Sequence, residues 1–280
     1  AFSELPSITE KIDTSQLKVL TTSGELAHLP WAVSSKIDPV LGAQIRMALT
    51  TLGEDEKGRA ALARAQLSNI LQVKDSNYDE HRLLVWEVLG EDYCVDVCNQ
   101  TSARATTSAT ERPLVIGVFP RRPQKATINM FTPFSSFIAT ALNRDVKLKV
   151  PKDFTEFWKG VVDKEYDLVH FNQYQYVKSH SLYGYEVILM NEEQGENTLT
   201  PALWVRKDKN IGTVENLKGR TIMFGGGKMA MMAYIAPKFL LKQAGLEKDN
   251  YIEKVAINPL AGCRAMYLGQ AEACGAGTIM

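Results

Sequence analysis

An α/β chain folded as two lobes is predicted by three observations. A β-α-β-α-β cycle of apolar segments runs from residue 113, and a second such cycle runs from about residue 202. The length of 280 residues suits two α/β cores better than one. Apolar residues make up 45% and charged residues 23% of the chain, which is ordinary globular composition. Each lobe is expected to be a mixed, mostly parallel sheet flanked by helices.

In the first cycle, Pro113–Phe119 (PLVIGVF) reads as a buried strand. Thr132 followed by Pro133 reads as a helix start, N-cap then N1, with Phe134, Phe137, Ile138 and Leu142 on one face. Val146–Val150 alternates as a strand. Asp153–Lys164 carries Phe154, Phe157, Trp158 and Val161 at helical spacing, and Asp167–Phe171 (DLVHF) is the next strand. The second cycle has strands at Ala202–Arg206, Thr221–Phe224, Lys254–Ile257 and Ala273–Met280. A helix is expected from about Met229 to Ala244, after Gly225, Gly226 and Gly227, and another over Cys263–Leu268. Ahead of both cycles, Val19–Thr22 and Trp31–Val33 read as strands. Asp38–Leu52, Gly58–Arg64 and Asp79–Leu89 read as helical segments. Asn99–Arg112 has five serines and threonines in its first ten residues and no large apolar group, so it reads as a linker.

Lys+Arg and Asp+Glu are 32 each, so net charge gives no reason to expect nucleic acid or an anionic membrane as partner. No run approaches the roughly 20 apolar residues needed to cross a bilayer. The sequence begins at Ala1 with neither a start methionine nor a signal peptide, and reads as mature, cut or rearranged. The four cysteines, Cys94, Cys98, Cys263 and Cys274, match no zinc spacing. They read as two loop thiols, with a Cys94–Cys98 disulfide left open, and two small apolar packers. Methionines 229, 231, 232, 266 and 280 suit core packing better than a soft-metal site, and the four histidines form no metal spacing, so no metal and no cofactor are expected. No G-x-S-x-G, H-E-x-x-H or P-loop is present; the GGGK at 225–228 is followed by Met229 rather than Ser or Thr.

Taken in the order 113–280 and then 1–92, the chain resembles the phosphate/phosphite/phosphonate solute-binding proteins. The marks are PLVIGVFPRRP, EYDLVHFNQYQYV, ALWVRKDKNIGTVENLKGRTIMFGGG, APKFLLKQAGL and MYLGQAEACGAG, then LPWAVSSKIDPVLGAQIRMALTTL and DSNYDEHRLL. The resemblance spans about 260 residues, everything but the linker. It implies a type II periplasmic-binding-protein fold with a circularly permuted chain, in which Met280 would continue into Ala1 and the two ends would lie close together. One lobe would be 31–92 with 113–200 and the other 201–280 with 1–30, with 93–112 as linker. Ala202–Arg206 and Trp31–Ser34 would be hinge strands, and a ligand would be held between the lobes by closure.

The resemblance also places the candidate ligand-binding residues: Phe119 and Arg121, with Arg122, after the first strand; Phe171, Asn172 and Gln173 after the DLVH strand; Gly226, Gly227, Lys228, Met229, Ala230 and Met231 after the glycine run; and Cys263 near a helix start. Where the phosphonate binders carry Ser-Thr-Ser, this chain has Ala230, Met231 and Met232. That loss points to a ligand less charged than a phosphonate and partly apolar. Tyr174 and Tyr176 read as rim aromatics or packing. The implied function is the ligand-binding component of an ABC-type importer, taking a small molecule or oxyanion, monomeric, periplasmic or extracytoplasmic, with lipid anchoring left open. A membrane permease or a sensor kinase would be its partner. The alternatives are a ligand-sensing domain and an enzyme on the same fold, for which only Cys263 and His170 offer chemistry.

Overall fold

The computed structural model describes residues 12–93 and 112–278. The expected linker apart from its end residues 93 and 112, the Cys94–Cys98 pair and the two chain ends lie outside the described residues. The chain divides into two compact units: Ala27–Asp79 with Tyr93–Asn197, and Ala1–Leu26 with Glu80–Asp92 and Thr198–Met280. Both are α/β, as the two apolar cycles predict.

The first unit is built on six strands: β3 (Pro30–Ser34), β4 (Asn69–Gln72), β5 (Leu114–Val118), β6 (Val146–Lys149), β7 (Leu168–His170) and β8 (Tyr185–Glu192). Their order is β4-β8-β3-β7-β5-β6. β5 is parallel to β6 and to β7, whereas β3 is antiparallel to β7 and β8. Around them lie α1 (Pro39–Thr50), α2 (Glu56–Ala65), α4 (Gln124–Leu142), α5 (Phe154–Val162) and α6 (Gln173–Tyr183), and α3 (Asp79–Leu89) falls almost wholly in the other unit. The helix starts are written in the sequence: Asp38, Asp55, Asp153 and Asn172 each accept a backbone N–H of the first turn. The core packs Trp31, Ile45, Leu49, Leu62, Ile116, Phe131, Phe134 and Leu168 against one another.

The second unit is built on β1 (Leu17–Thr22), β10 (Pro201–Arg206), β11 (Thr221–Gly225), β12 (Ile252–Ala256) and β13 (Ala273–Gly277), in the order β1-β10-β13-β11-β12. β11 is parallel to β12 and β13; β10 is antiparallel to β13 and β1. Its helices include α7 (Ala236–Gln243) and α8 (Pro259–Tyr267). A short ribbon pairs β2 (Leu26–Ala27) with β9 (Thr198–Leu199).

Three expectations are corrected. The helix expected to start at Thr132–Pro133 starts at Gln124, with Pro133 inside it. An interior proline frees the carbonyl four residues back, here that of Asn129, and the Arg64 Nε of α2 donates to that oxygen at 3.4 Å. The Thr132 hydroxyl donates to Ile128 O at 2.7 Å instead of capping a helix start. The single helix expected over Met229–Ala244 is three pieces: a 3₁₀ turn at Gly227–Met229, a π turn at Met231–Ile235 and α7. Pro237, in the first turn of α7, has no N–H to continue a regular ladder, and the wider turn ahead of it absorbs the change. Finally, Cys263 and Cys274 are not free packers. They form a disulfide that ties α8 to β13, and both are buried.

Candidate functional site

In the six-stranded unit, β5 is the centre of a reversal. β6 lies on one side of it and β7 on the other, and ligands of open α/β sheets bind outside the carboxyl ends of the strands at such a point. The ends of β5 and β7 meet where the Phe119 N–H donates to His170 O at 3.2 Å. The antiparallel partners bring two more segments to this edge: Trp31 pairs with His170, and Pro30 with Met190 near the end of β8.

The side chains gathered there form a connected set. Trp31 is fully buried and stacks on His170 at 4.4 Å and on Phe134 at 4.8 Å. Its Nε1 donates to Asn191 Oδ1 at 2.8 Å, and Asn191 Nδ2 donates to Glu193 Oε1 at 3.1 Å. Arg121 Nη2 donates to the same oxygen at 3.0 Å, and the two charged side chains are 9% and 19% exposed. The Arg121 guanidinium also lies 5.9 Å from the centre of the Phe119 ring. Burial pushes the Glu193 carboxyl up, but the Arg121 guanidinium, which also donates to it, outweighs this and holds it well below the usual carboxylate range. Burial lowers His28 to about 4. It also pushes His170 well below the ordinary imidazole value, with Arg121 adding to the effect. Both histidines are therefore neutral at pH 7, and neither ring nitrogen of His170 has a hydrogen-bond partner among the described residues.

The start of α6 borders this edge. Asn172 caps the helix, its Oδ1 accepting from the Gln175 N–H at 2.7 Å. Gln173 Nε2 donates to Ala27 O at 3.2 Å. The Gln175 amide is fully buried with no partner among the described residues. Phe171 faces the packing instead: it is fully buried, edge-on to Phe157 and Tyr185. Tyr176 is also packing, with its hydroxyl donating to Asp75 Oδ1 at 2.5 Å. Arg122 reaches Gln66 Oε1 at 2.7 Å.

The five-stranded unit repeats the reversal, with β11 between β12 and β13. Gly225 ends β11 against the start of α8: a Cβ there would meet Pro259 Cα at 2.2 Å. Gly226 and Gly227 follow with φ of 75° and 69°, a left-handed turn that side-chain-bearing residues resist. Lys228 is exposed, Gly226, Gly227, Met229 and Ala230 are half-buried, and Met231 is buried. No side chain caps the π turn that starts at Met231. The following segment is braced where the Tyr234 hydroxyl and Lys238 Nζ reach Glu253, at 2.7 and 2.8 Å. Cys263 is a half-cystine in the core of this unit, so it offers neither a ligand-facing thiol nor a nucleophile. The thiol read near a helix start had a partner eleven residues on.

The structure thus gathers Phe119, Arg121, Asn172 and Gln173 at one edge, and Gly226 to Met231 at the corresponding edge of the other unit. Sequence reasoning missed Trp31, Asn191 and Glu193 at the first edge. Glu193 had a signal: it opens Glu193-Gln194-Gly195-Glu196, whose central residues have φ of 57° and 82°, the two-residue hairpin turn that a residue-glycine pair favours. Two surface depressions, of about 530 and 410 Å³, hold none of these residues. Among the described residues, no group of three His, Cys, Asp or Glu could hold a metal ion, and no helix is long and apolar enough to cross a membrane.

A family model described as "ABC transporter, phosphonate, periplasmic substrate-binding protein" matches residues 3–78 and 116–278. The chain belongs to this family. Solved structures that it resembles include PhnD1 from Prochlorococcus marinus (MIT 9301) in complex with methylphosphonate, at 18% identity and a TM-score of 0.45, covering 59% of this chain and 63% of that one. Another is a binding protein component of an ABC phosphonate transporter from Pseudomonas aeruginosa, at 13% identity and a TM-score of 0.45, covering 60% and 58%. OppA from Haemophilus influenzae, in complex with RPPGFSPFR, follows at 13% and 0.31, covering 63% and 35%. The match therefore spans less than two thirds of the length of each of these chains. No curated protein matches the chain.

Proposed function

We propose that this protein is the ligand-binding component of an ABC-type importer, holding one small molecule against the two strand-end edges. The observation that carries the reading is the gathering of aromatic and hydrogen-bonding side chains, Trp31, Phe119, Arg121 and Asn172, at the reversal point of a sheet in a chain of the substrate-binding family. Capture by closure of the two lobes expected from the sequence about their hinge strands is part of the same proposal, as is a membrane permease as partner. The buried Cys263–Cys274 disulfide supports an extracytoplasmic, oxidising location. Native mass spectrometry before and after denaturation tests the reading: one small molecule released per chain, with ligand-dependent compaction in solution scattering, is the expected result. A chain that retains none, and that binds no member of a panel of phosphonates, oxyanions, amino acids and peptides, would refute it.

We also propose that the chain is circularly permuted relative to its family. β1 holds in its sheet the place that β8 holds in the other: β12-β11-β13-β10-β1 runs as β6-β5-β7-β3-β8. Yet β8 follows β7 in the chain, whereas β1 precedes β13. Joining residue 280 to residue 1 and opening the chain between 93 and 112 should leave thermal stability and ligand affinity unchanged. A rejoined chain that does not fold would count against the permutation.

A further inference from the structure

The Arg121 guanidinium is the obvious anion-binding group at the six-stranded edge, and it is already occupied. Glu193 Oε1 takes one N–H of Arg121 at 3.0 Å and the Asn191 amide at 3.1 Å. The pair is largely withdrawn from solvent, and the Glu193–Glu196 turn holds the carboxylate in place: the backbones of Glu193 and Glu196 exchange two hydrogen bonds, and the Gly195 N–H donates to Ser68 Oγ. Asn191 is fixed in turn by Trp31. The two histidines near the pair, His28 and His170, are held neutral at pH 7 by burial.

We propose that Glu193 is a specificity residue: an internal carboxylate that neutralises Arg121 and sets this site for an uncharged, partly apolar ligand rather than an oxyanion. This rests on the reading of the protein as a solute-binding protein. An incoming anion would have to displace Glu193 or lie beside it, and like charges juxtaposed at a site are strongly disfavoured. An uncharged ligand meets the neutral Arg121–Glu193 pair, beside the Phe119 ring, without that cost.

The test compares the methylphosphonate anion with its uncharged dimethyl ester by calorimetric titration of the whole protein and its Glu193→Gln variant. The amide keeps the shape and removes the charge. Wild type should bind the ester at least ~10-fold more tightly than the anion, and Glu193→Gln should strengthen binding of the anion at least ~10-fold, the direction expected when a like charge is removed. Wild type binding methylphosphonate more tightly than the ester, or a folded Glu193→Gln variant without gain for the anion, overturns the inference. Should the variant fail to fold, the wild-type comparison alone decides. Tight wild-type binding of the anion would sink this inference and leave the importer reading standing. Failure of both proteins to bind anything in the wider panel would sink the importer reading instead.

Discussion

The two units use the same strand plan and finish it with opposite chemistry. At the six-stranded edge, side chains do the work: a stacked indole and imidazole, a neutralised arginine and a capping asparagine. At the five-stranded edge the backbone is bare, with three consecutive glycines and a π turn that no side chain caps. The first edge is tied together by buried contacts that connect residues 72 and 160 positions apart in the chain. The second is local, and its order is supplied from below by the α8 contact at Gly225 and by the disulfide. One strand plan can therefore carry a side-chain site or a backbone site, depending on the residues placed just beyond the strand ends.

The largest effect expected is on the side-chain edge. Trp31→Ala removes a fully buried ring stacked on two others and strands the Asn191 acceptor, which should cost about 3–5 kcal/mol. Chemical denaturation should show this loss with hydrogen exchange rising in β3, β7 and β8 and unchanged in β11 to β13; a uniform rise would mean that the edges are not independent. Next in size, replacing Cys263 and Cys274 together by alanine should cost about 3 kcal/mol, with faster exchange confined to α8 and β13. Loss of protection in the six-stranded sheet instead would contradict the assignment of that staple to one unit.

How far the sequence revealed this depends on the range of each interaction. The strands, and most helices with their Asp and Asn starts, could be read because period and caps are local. Thr132–Pro133 misled because the group that satisfies the freed Asn129 carbonyl, Arg64, lies on another helix. The strand Tyr185–Glu192 and the helix Gln173–Tyr183 went unassigned; the helix shows no apolar stripe, since its tyrosines and glutamines are buried nearly all round. At the site, Arg121 and Asn172 come just after recognisable strand ends. The partner that decides the charge of Arg121 is 72 residues away, and only the register of the sheet brings Glu193 to it.

Smallest at neutral pH is the effect of the two buried histidines. His28 and His170 stay neutral when folded and take up protons near the ordinary value of about 6.5 when unfolded. Their folded values are depressed, so the unfolded chain binds more protons as pH falls. The stability these groups permit is intact above about pH 6.5 and declines below it, approaching about 1.4 kcal/mol per pH unit for each histidine. For His28 the decline ends near its folded value of about 4. His170→Phe should flatten the slope below about pH 6.5 and leave stability at about pH 8 within about 1 kcal/mol. An unchanged slope would show that His170 is not buried neutral.

The central proposal, that both strand-end edges serve one ligand, is tested most directly by hydrogen exchange on the protein with and without the small molecule released from it. The account predicts slowed exchange at residues 119–122, 170–175 and 225–232 together. Protection confined to the depression around residues 148–166, or at one edge alone, would contradict it.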